Sequence, residues 1–344
     1  MQQWIKEVAR GQKGAKDLSY EETLEVAEAI LSRSATDAQI AAYLVGERIK
    51  TESAEELLAF IKKLQDYSSK LSISKEIQSK MIDFAGPYNG RNSFAATIPV
   101  SLLLADQGIP VYLAASDTLP PKYGTSVKEI ISKLGWSNKL SDSDLERDRF
   151  IYADPEAYCE PLRQLRQIRK EIGVRTLFNT VEKLMNLGGA RSIMLGAFHK
   201  TAINKLNDVF KHLDYDHVYI VQGLEGSEDV PVHRNSFVFH WTKENLKTFT
   251  VKPNDYGLQC KEFDKNQKLS ADEQASIIAS LISGEQLDQN KYYYNQVLLN
   301  AGLRYYLFNL VQSVEQGIEL AKEQLASGRI INVIDKWQKG RIQS

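Results

Sequence analysis

Cysteine is nearly missing from this 344-residue chain: Cys159 and Cys260 are the only two, far apart and outside any metal-ligand spacing. That excludes a disulfide scaffold and a cysteine-built zinc site, and it suits a reducing compartment. Excess charge of either sign is missing too. Lys and Arg number 43 against 44 Asp and Glu, a net charge of −1. No whole-molecule field therefore steers the protein to nucleic acid or to a membrane, and an anion-binding surface has to be assembled locally. No apolar run approaches the roughly 18 residues of a membrane span, and the opening MQQWIKEVARGQKG lacks the apolar core of a signal peptide. A cytoplasmic protein without a membrane partner is expected. Internal repeats and low-complexity tracts are absent as well. What is present is ordinary for a globular protein, 43% apolar and 25% charged residues, with length enough for two lobes sharing an interface.

Residues 1 to about 75 read as helical, and the capping chemistry says where helices begin. Ser19 with Glu22, Thr36 with Gln39, and Ser53 with Glu56 are each a hydroxyl followed three residues later by a longer acceptor. The hydroxyl accepts from an orphan backbone N–H while the longer side chain reaches back to the cap. Between the caps, Ile40, Tyr43 and Leu44, then Leu57, Leu58, Ile61 and Leu64, recur at helical spacing. From about residue 80 short β-rich runs replace this pattern, at 81–85, 109–114, 192–195, 218–221 and 237–241. Helical stretches at 97–106, 127–134 and 200–213 separate most of them. Strands alternating with helices predict α/β units around a mainly parallel sheet. The runs 237–241 and 247–251 are close enough to form a hairpin, and residues 138–149 are charged enough to be a connecting loop. After residue 268 the chain reads as helix again, able to pack on either lobe. The expected division is a helical domain over 1–75 and an α/β domain over 76–344.

The order of these segments resembles the anthranilate phosphoribosyltransferase group of glycosyltransferase family 3, across nearly the whole length. The stretch DLSYEETLEVAEAILSRSATDAQIAAYLVGERIKTESAEEL is similar to that family's helical domain, and IRKEIGVRTLFNTVEKLMN to its signature segment. PNDYGL, SGEQLDQNKYYYNQVLLNAG and SVEQGIELAKEQLASG fit its C-terminal helices. The resemblance implies a small N-terminal helical domain beside a larger α/β domain, an active site in the cleft between them, and a homodimer built through the helical domain. It also implies phosphoribosyl transfer from a diphosphate sugar to a small nitrogen nucleophile, with Mg2+ as cofactor. A fold does not carry a function with it, so the site residues have to be taken one at a time.

Transfer of this kind is mostly electrostatic work: hold a diphosphate, neutralise it, and orient the nucleophile. A glycine-rich turn leading into a helix suits the task, because backbone N–H groups and the helix N-terminus bind anions. The family's Gly-Thr-Gly-Gly-Asp turn corresponds here to Ala85-Gly86-Pro87-Tyr88-Asn89-Gly90-Arg91-Asn92-Ser93. Pro87 removes an amide donor and Tyr88 adds bulk. Gly86, Asn89, Gly90, Arg91, Asn92 and Thr97 remain as candidate ligands of a phosphorylated sugar or another small anion, or as parts of a plain strand-to-helix turn. The family's Lys-His-Gly-Asn corresponds to Leu113-Ala114-Ala115-Ser116, where Ser116 alone keeps polar capacity. Lys122 in the following loop either restores the lost charge or is simply solvated.

Glu228 and Asp229 follow the run 218–221, at the strand end where ligands of open α/β sheets collect. They match the family's metal-binding acidic pair and are the candidate Mg2+ ligands. Arg163, Arg166, Arg169 and Lys170, with Arg175 nearby, form a basic row in which steps of three keep the arginines along one drifting helix face. The resemblance assigns Arg169 to the acidic acceptor. A solvated face, or phosphate tracking by Arg163, Arg166 and Lys170 on a nucleic acid, are the other readings, so a non-catalytic polyanion-binding protein stays open beside the enzyme. His199-Lys200 is a conceivable base or a packing pair.

Overall fold

The computed structural model describes residues 1–331 apart from Gln12, 87–89, 137–148, 198–205, Phe263, Lys265 and 286–287. Helices α1 (Gln2–Val8), α2 (Tyr20–Leu31), α3 (Asp37–Lys50) and α4 (Ala54–Asp66) form a small N-terminal helical domain. The last three open on the boxes read from the sequence: Ser19, Thr36 and Ser53 each accept from the amide three residues on, and Glu22, Gln39 and Glu56 return the bond. The apolar faces close on one another, with Val26, Ile30, Ile40, Leu44, Phe60 and Leu64 fully buried.

After α5 (Lys75–Lys80) the chain enters a seven-stranded sheet. Its strands are β1 (Ile82–Ala85), β3 (Val111–Ala114), β5 (Phe150–Ala153), β6 (Ser192–Gly196), β7 (His217–Val221), β8 (Ser236–Trp241) and β9 (Leu246–Val251), in spatial order β5-β3-β1-β6-β7-β8-β9. The first five run parallel. β8 and β9 close one edge as the antiparallel hairpin that their sequence separation suggested.

Both faces of the parallel part are covered, which is why its strands are mostly apolar on both faces, with Asp83 in β1 a buried exception. Successive side chains still go to opposite cores. Tyr112, Ile151, Ile193 and Val218 join the cluster shared with the helical domain, while Val111, Phe150, Met194 and Tyr219 join the cluster on the far side. That second core also takes α6 (Thr97–Asp106) and the helices Ala271–Ile282, Lys291–Leu307 and Val314–Ala326. The C-terminal helices thus belong to the α/β domain. Cys159 and Cys260 are both free thiols. No helix among the described residues is long and apolar enough to cross a membrane.

Candidate anion site at the strand ends

Three loops meet above the carboxyl ends of β1, β3 and β7. The first leaves β1 and forms the short β2 (Gly90–Arg91) before entering α6. The second leaves β3 and returns as β4 (Thr125–Ser126), which pairs antiparallel with β2 and leads through the Ser126 capping box into α7 (Val127–Lys133). This ribbon explains Gly90. A Cβ there would lie 2.6 Å from Thr118 Cγ2 and 3.0 Å from the Tyr123 carbonyl carbon, so only glycine lets the two loops touch. The third loop, 222–230, presses on the end of β6, where a Cβ on Gly196 would come within 2.2 Å of the Ser227 carbonyl carbon.

β2 carries Arg91 into the interior, and there it meets the acidic pair. One terminal nitrogen donates to Asp229 Oδ2 and the other to Glu228 Oε1 at 3.1 Å. Asp229 Oδ2 also accepts from the Thr97 amide at 3.1 Å, so a carboxylate of the protein itself sits at the N-terminus of α6. Arg304, from the helix Lys291–Leu307, donates to Asp229 Oδ1 at 3.1 Å and lies over the Phe84 ring. Exposure of Arg91, Glu228, Asp229 and Arg304 is 3%, 3%, 0% and 1%. Burial acts to raise the Glu228 carboxyl, but Arg91 and Arg304 outweigh it and hold it below its ordinary value. Burial likewise opposes the charge on Arg91, and the two carboxylates more than restore it.

Glu225 fills the neighbouring position. It stands in the left-handed region at φ 51° and accepts from the Asn92 amide at 3.1 Å and the Ser93 amide at 2.9 Å. Burial acts to raise its pKa, but these bonds and that of the Ser93 hydroxyl keep it lowered. The Lys122 ammonium donates to the Glu225 carbonyl, so this lysine is a half-buried part of the site and not a solvated loop residue. Lys122, Arg175 and Lys183 are near enough to feel one another's charge, and all three are half-buried. Burial and then Arg175 and Lys122 push Lys183 down to about 7. Lys122 falls to about 8, through burial offset by Glu225 and reinforced by Arg91 and Arg175.

The structure thus brings together Gly90, Arg91, Asn92, Thr97, Glu228 and Asp229. Gly86 directly follows β1, whereas Asn89, Pro87 and Tyr88 lie outside the described residues, as does the pair His199-Lys200. Ser116 is buried after β3, its hydroxyl on the Asp117 carbonyl at 3.3 Å. The basic row is not a stripe of open charge. Arg163 pairs with Glu160, Arg166 forks onto Glu156, and Lys170 is exposed. Arg169, expected to face an acidic acceptor, is 2% exposed and forks onto Glu182 at 2.8 and 2.9 Å, against Phe178. Sequence reasoning missed Glu225, Lys183 and Arg304: Lys183 lies inside the signature-like segment, but nothing beside any of the three marked it as a site residue, and they meet the site through the fold.

The residues present do not fit Mg2+. That ion demands near-octahedral oxygen ligands and keeps several waters. Here the candidate carboxylates are buried and engaged by two guanidinium groups. No group of three or more metal-ligating side chains occurs among the described residues.

Comparison with known proteins gives the same architecture. A family model described as "Glycosyl transferase family, a/b domain" matches residues 89–331, and one described as "Glycosyl transferase family, helical bundle domain" matches residues 2–68. The anthranilate phosphoribosyltransferase of Persephonella marina is 28% identical over 342 residues, covering 97% of this chain and 98% of that protein. That of Shouchella clausii is 28% identical over 94% of both. Among solved structures, the anthranilate phosphoribosyltransferase from Thermus thermophilus superposes with a TM-score of 0.77 at 22% identity, covering 97% of each chain. The Saccharomyces cerevisiae anthranilate phosphoribosyltransferase in complex with PRPP and Mg gives 0.80 at 19% identity, covering 98% of this chain and 96% of that one.

Proposed function

Because this chain belongs to the glycosyl transferase family defined by a helical bundle domain and an α/β domain, we propose that it binds a phosphorylated sugar at the strand ends and transfers the glycosyl group, of the phosphoribosyl class, to a small nitrogen nucleophile. The observation carrying this reading is the trio Lys122, Arg175 and Lys183. Lys122 meets the Glu225 carbonyl and Arg175 the Thr180 hydroxyl, and the repulsion among the three half-buried cations, only partly offset by Glu225, Glu228 and Glu182, is relieved by an incoming anion; charge-assisted bonds to phosphate are among the strongest a protein makes. In the transfer step the bond from C1 to the diphosphate oxygen breaks as the nucleophile's nitrogen bonds to C1; the bonding electrons leave with the diphosphate, and the nitrogen's surplus proton passes to water. The trio would hold that diphosphate and bear its growing charge.

Titration calorimetry with phosphoribosyl pyrophosphate, and with pyrophosphate alone, tests the reading. Binding is expected, and Lys183→Met is expected to weaken it about tenfold or more. The absence of heat at millimolar ligand, or a Lys183→Met variant that binds as well as the parent, would falsify it. The rival ligand is a polyanion such as nucleic acid. Arg163 and Arg166 already carry Glu160 and Glu156 as partners, so the expected result on heparin or DNA is weak retention; tight retention with a steep salt slope would favour the rival.

A further inference from the structure

A divalent ion that takes both Glu228 and Asp229 as ligands meets guanidinium groups already on three of their four oxygens. Arg91 holds one oxygen of each carboxylate, and Arg304 holds the second oxygen of Asp229. Two carboxylates facing two guanidinium groups leave the cluster neutral, so no net negative charge remains to offset the cost of stripping a dication of its water. Nor is Arg91 a chance visitor. It is carried in on β2, which β4 pairs and which Gly90 allows to lie against Thr118 and Tyr123. Beside it, the Asn92 and Ser93 amides are taken by Glu225.

We infer that Arg91 is a resident cation standing where a divalent metal would bind, and that the protein takes up its phosphate-bearing ligand without a metal ion. Arg175, Lys122 and Lys183 then supply counter-charge to the phosphate directly, a task ammonium and guanidinium groups perform without coordination geometry. The identity of the ligand rests on the reading proposed above. The exclusion of metal rests on the ion cluster alone.

Mn2+ serves as a paramagnetic probe. Electron paramagnetic resonance of the full chain titrated with Mn2+ is expected to find the ion free in solution. Arg91→Ala should create a site, tightening Mn2+ binding at least about tenfold, and Glu228→Gln with Asp229→Asn on that background should remove it. Arg91→Lys, which keeps the charge, should bind none. One Mn2+ bound by the parent protein and lost in Glu228→Gln with Asp229→Asn would overturn the inference, as would a folded Arg91→Ala protein that gains nothing. Should Arg91→Ala not fold, the parent and Arg91→Lys titrations decide the question. In a second arm, inorganic phosphate is titrated with EDTA or with Mg2+. Affinities within about twofold of each other support metal-free uptake, and binding seen only with Mg2+ refutes it. Silence in both conditions means that the proposed ligand class is wrong, while the Mn2+ result still stands or falls by itself.

Discussion

Lys183 shows how a single charge at this site bears on its response to solution conditions. An ordinary lysine titrates near 10.4, whereas burial and then Arg175 and Lys122 push this one down to about 7. An anion arriving beside it raises the pKa again, so binding between about pH 7 and pH 10 takes up a proton. Affinity should therefore fall as the pH rises above about 7, by at most about tenfold per unit, and vary little through this residue below that. Calorimetry in buffers of different ionisation enthalpy measures the proton directly, and Lys183→Met should lower the count to the share taken up by Lys122, itself pushed down to about 8. An unchanged proton count in that variant would remove Lys183 from the site. The empty protein has the opposite preference. Its folded pKa lies below the unfolded one, so the unfolded chain binds more protons over the same window and stability rises with pH. Little of this was legible in the residues around position 183: Arg175 lies in the same segment, but the burial and the approach of Lys122 are products of the fold. The acidic pair tells the same story. Glu228 and Asp229 stood out as metal ligands, and Arg91 as a cation, but that they are each other's partners across 137 and 138 residues is a product of the sheet.

At the level of elements the sequence was far more readable, and the reason is range. A capping box is decided within four residues, and the three read at Ser19, Thr36 and Ser53 all form. Buried parallel strands announce themselves as apolar runs between turns, which locates β1, β3, β6 and β7. β5 escaped notice because its four residues, Phe150–Ala153, directly follow a long charged stretch that reads as a loop. The β2–β4 ribbon escaped for a similar reason: two residues a side carry no pattern, and only the crowding at Gly90 marks it. That crowding makes a prediction. In Gly90→Ala the new methyl meets Thr118 Cγ2 at 2.6 Å and the Tyr123 backbone at 3.0 and 3.1 Å, so the ribbon has to part. The expected cost is about 1–3 kcal/mol, typical of overpacking a tight contact. Thermal melts measure the loss, and hydrogen exchange at Thr125 and Ser126 should accelerate before the rest of the sheet. Protection equal to the parent's at those two amides would mean that the ribbon tolerates the methyl and that Gly90 has some other purpose.

The whole molecule poses a question that the anion site does not answer, which is what the apolar groove on the helical domain receives. Between α1 and α3 runs a groove of about 480 Å3, lined by Val8, Ala9, Ala41, Val45, Gly46 and Ile49. Ile49 is 59% exposed at its rim, a large apolar side chain left in water. The resemblance that led to the fold implies pairing through this same domain, so the occupant we expect is a second copy of the chain. A two-fold contact presents the same patch from both partners, and one substitution therefore acts twice. Light scattering on a sizing column should give about twice the 38.9 kDa chain mass for the parent. Ile49→Glu, which sets two carboxylates into a shared apolar contact, should give the single chain mass at micromolar concentration. Anion binding uses none of these groove residues and should survive the change. A parent protein that elutes as a monomer at every concentration would leave the groove without its partner. A dimer indifferent to Ile49→Glu would place the contact on another face.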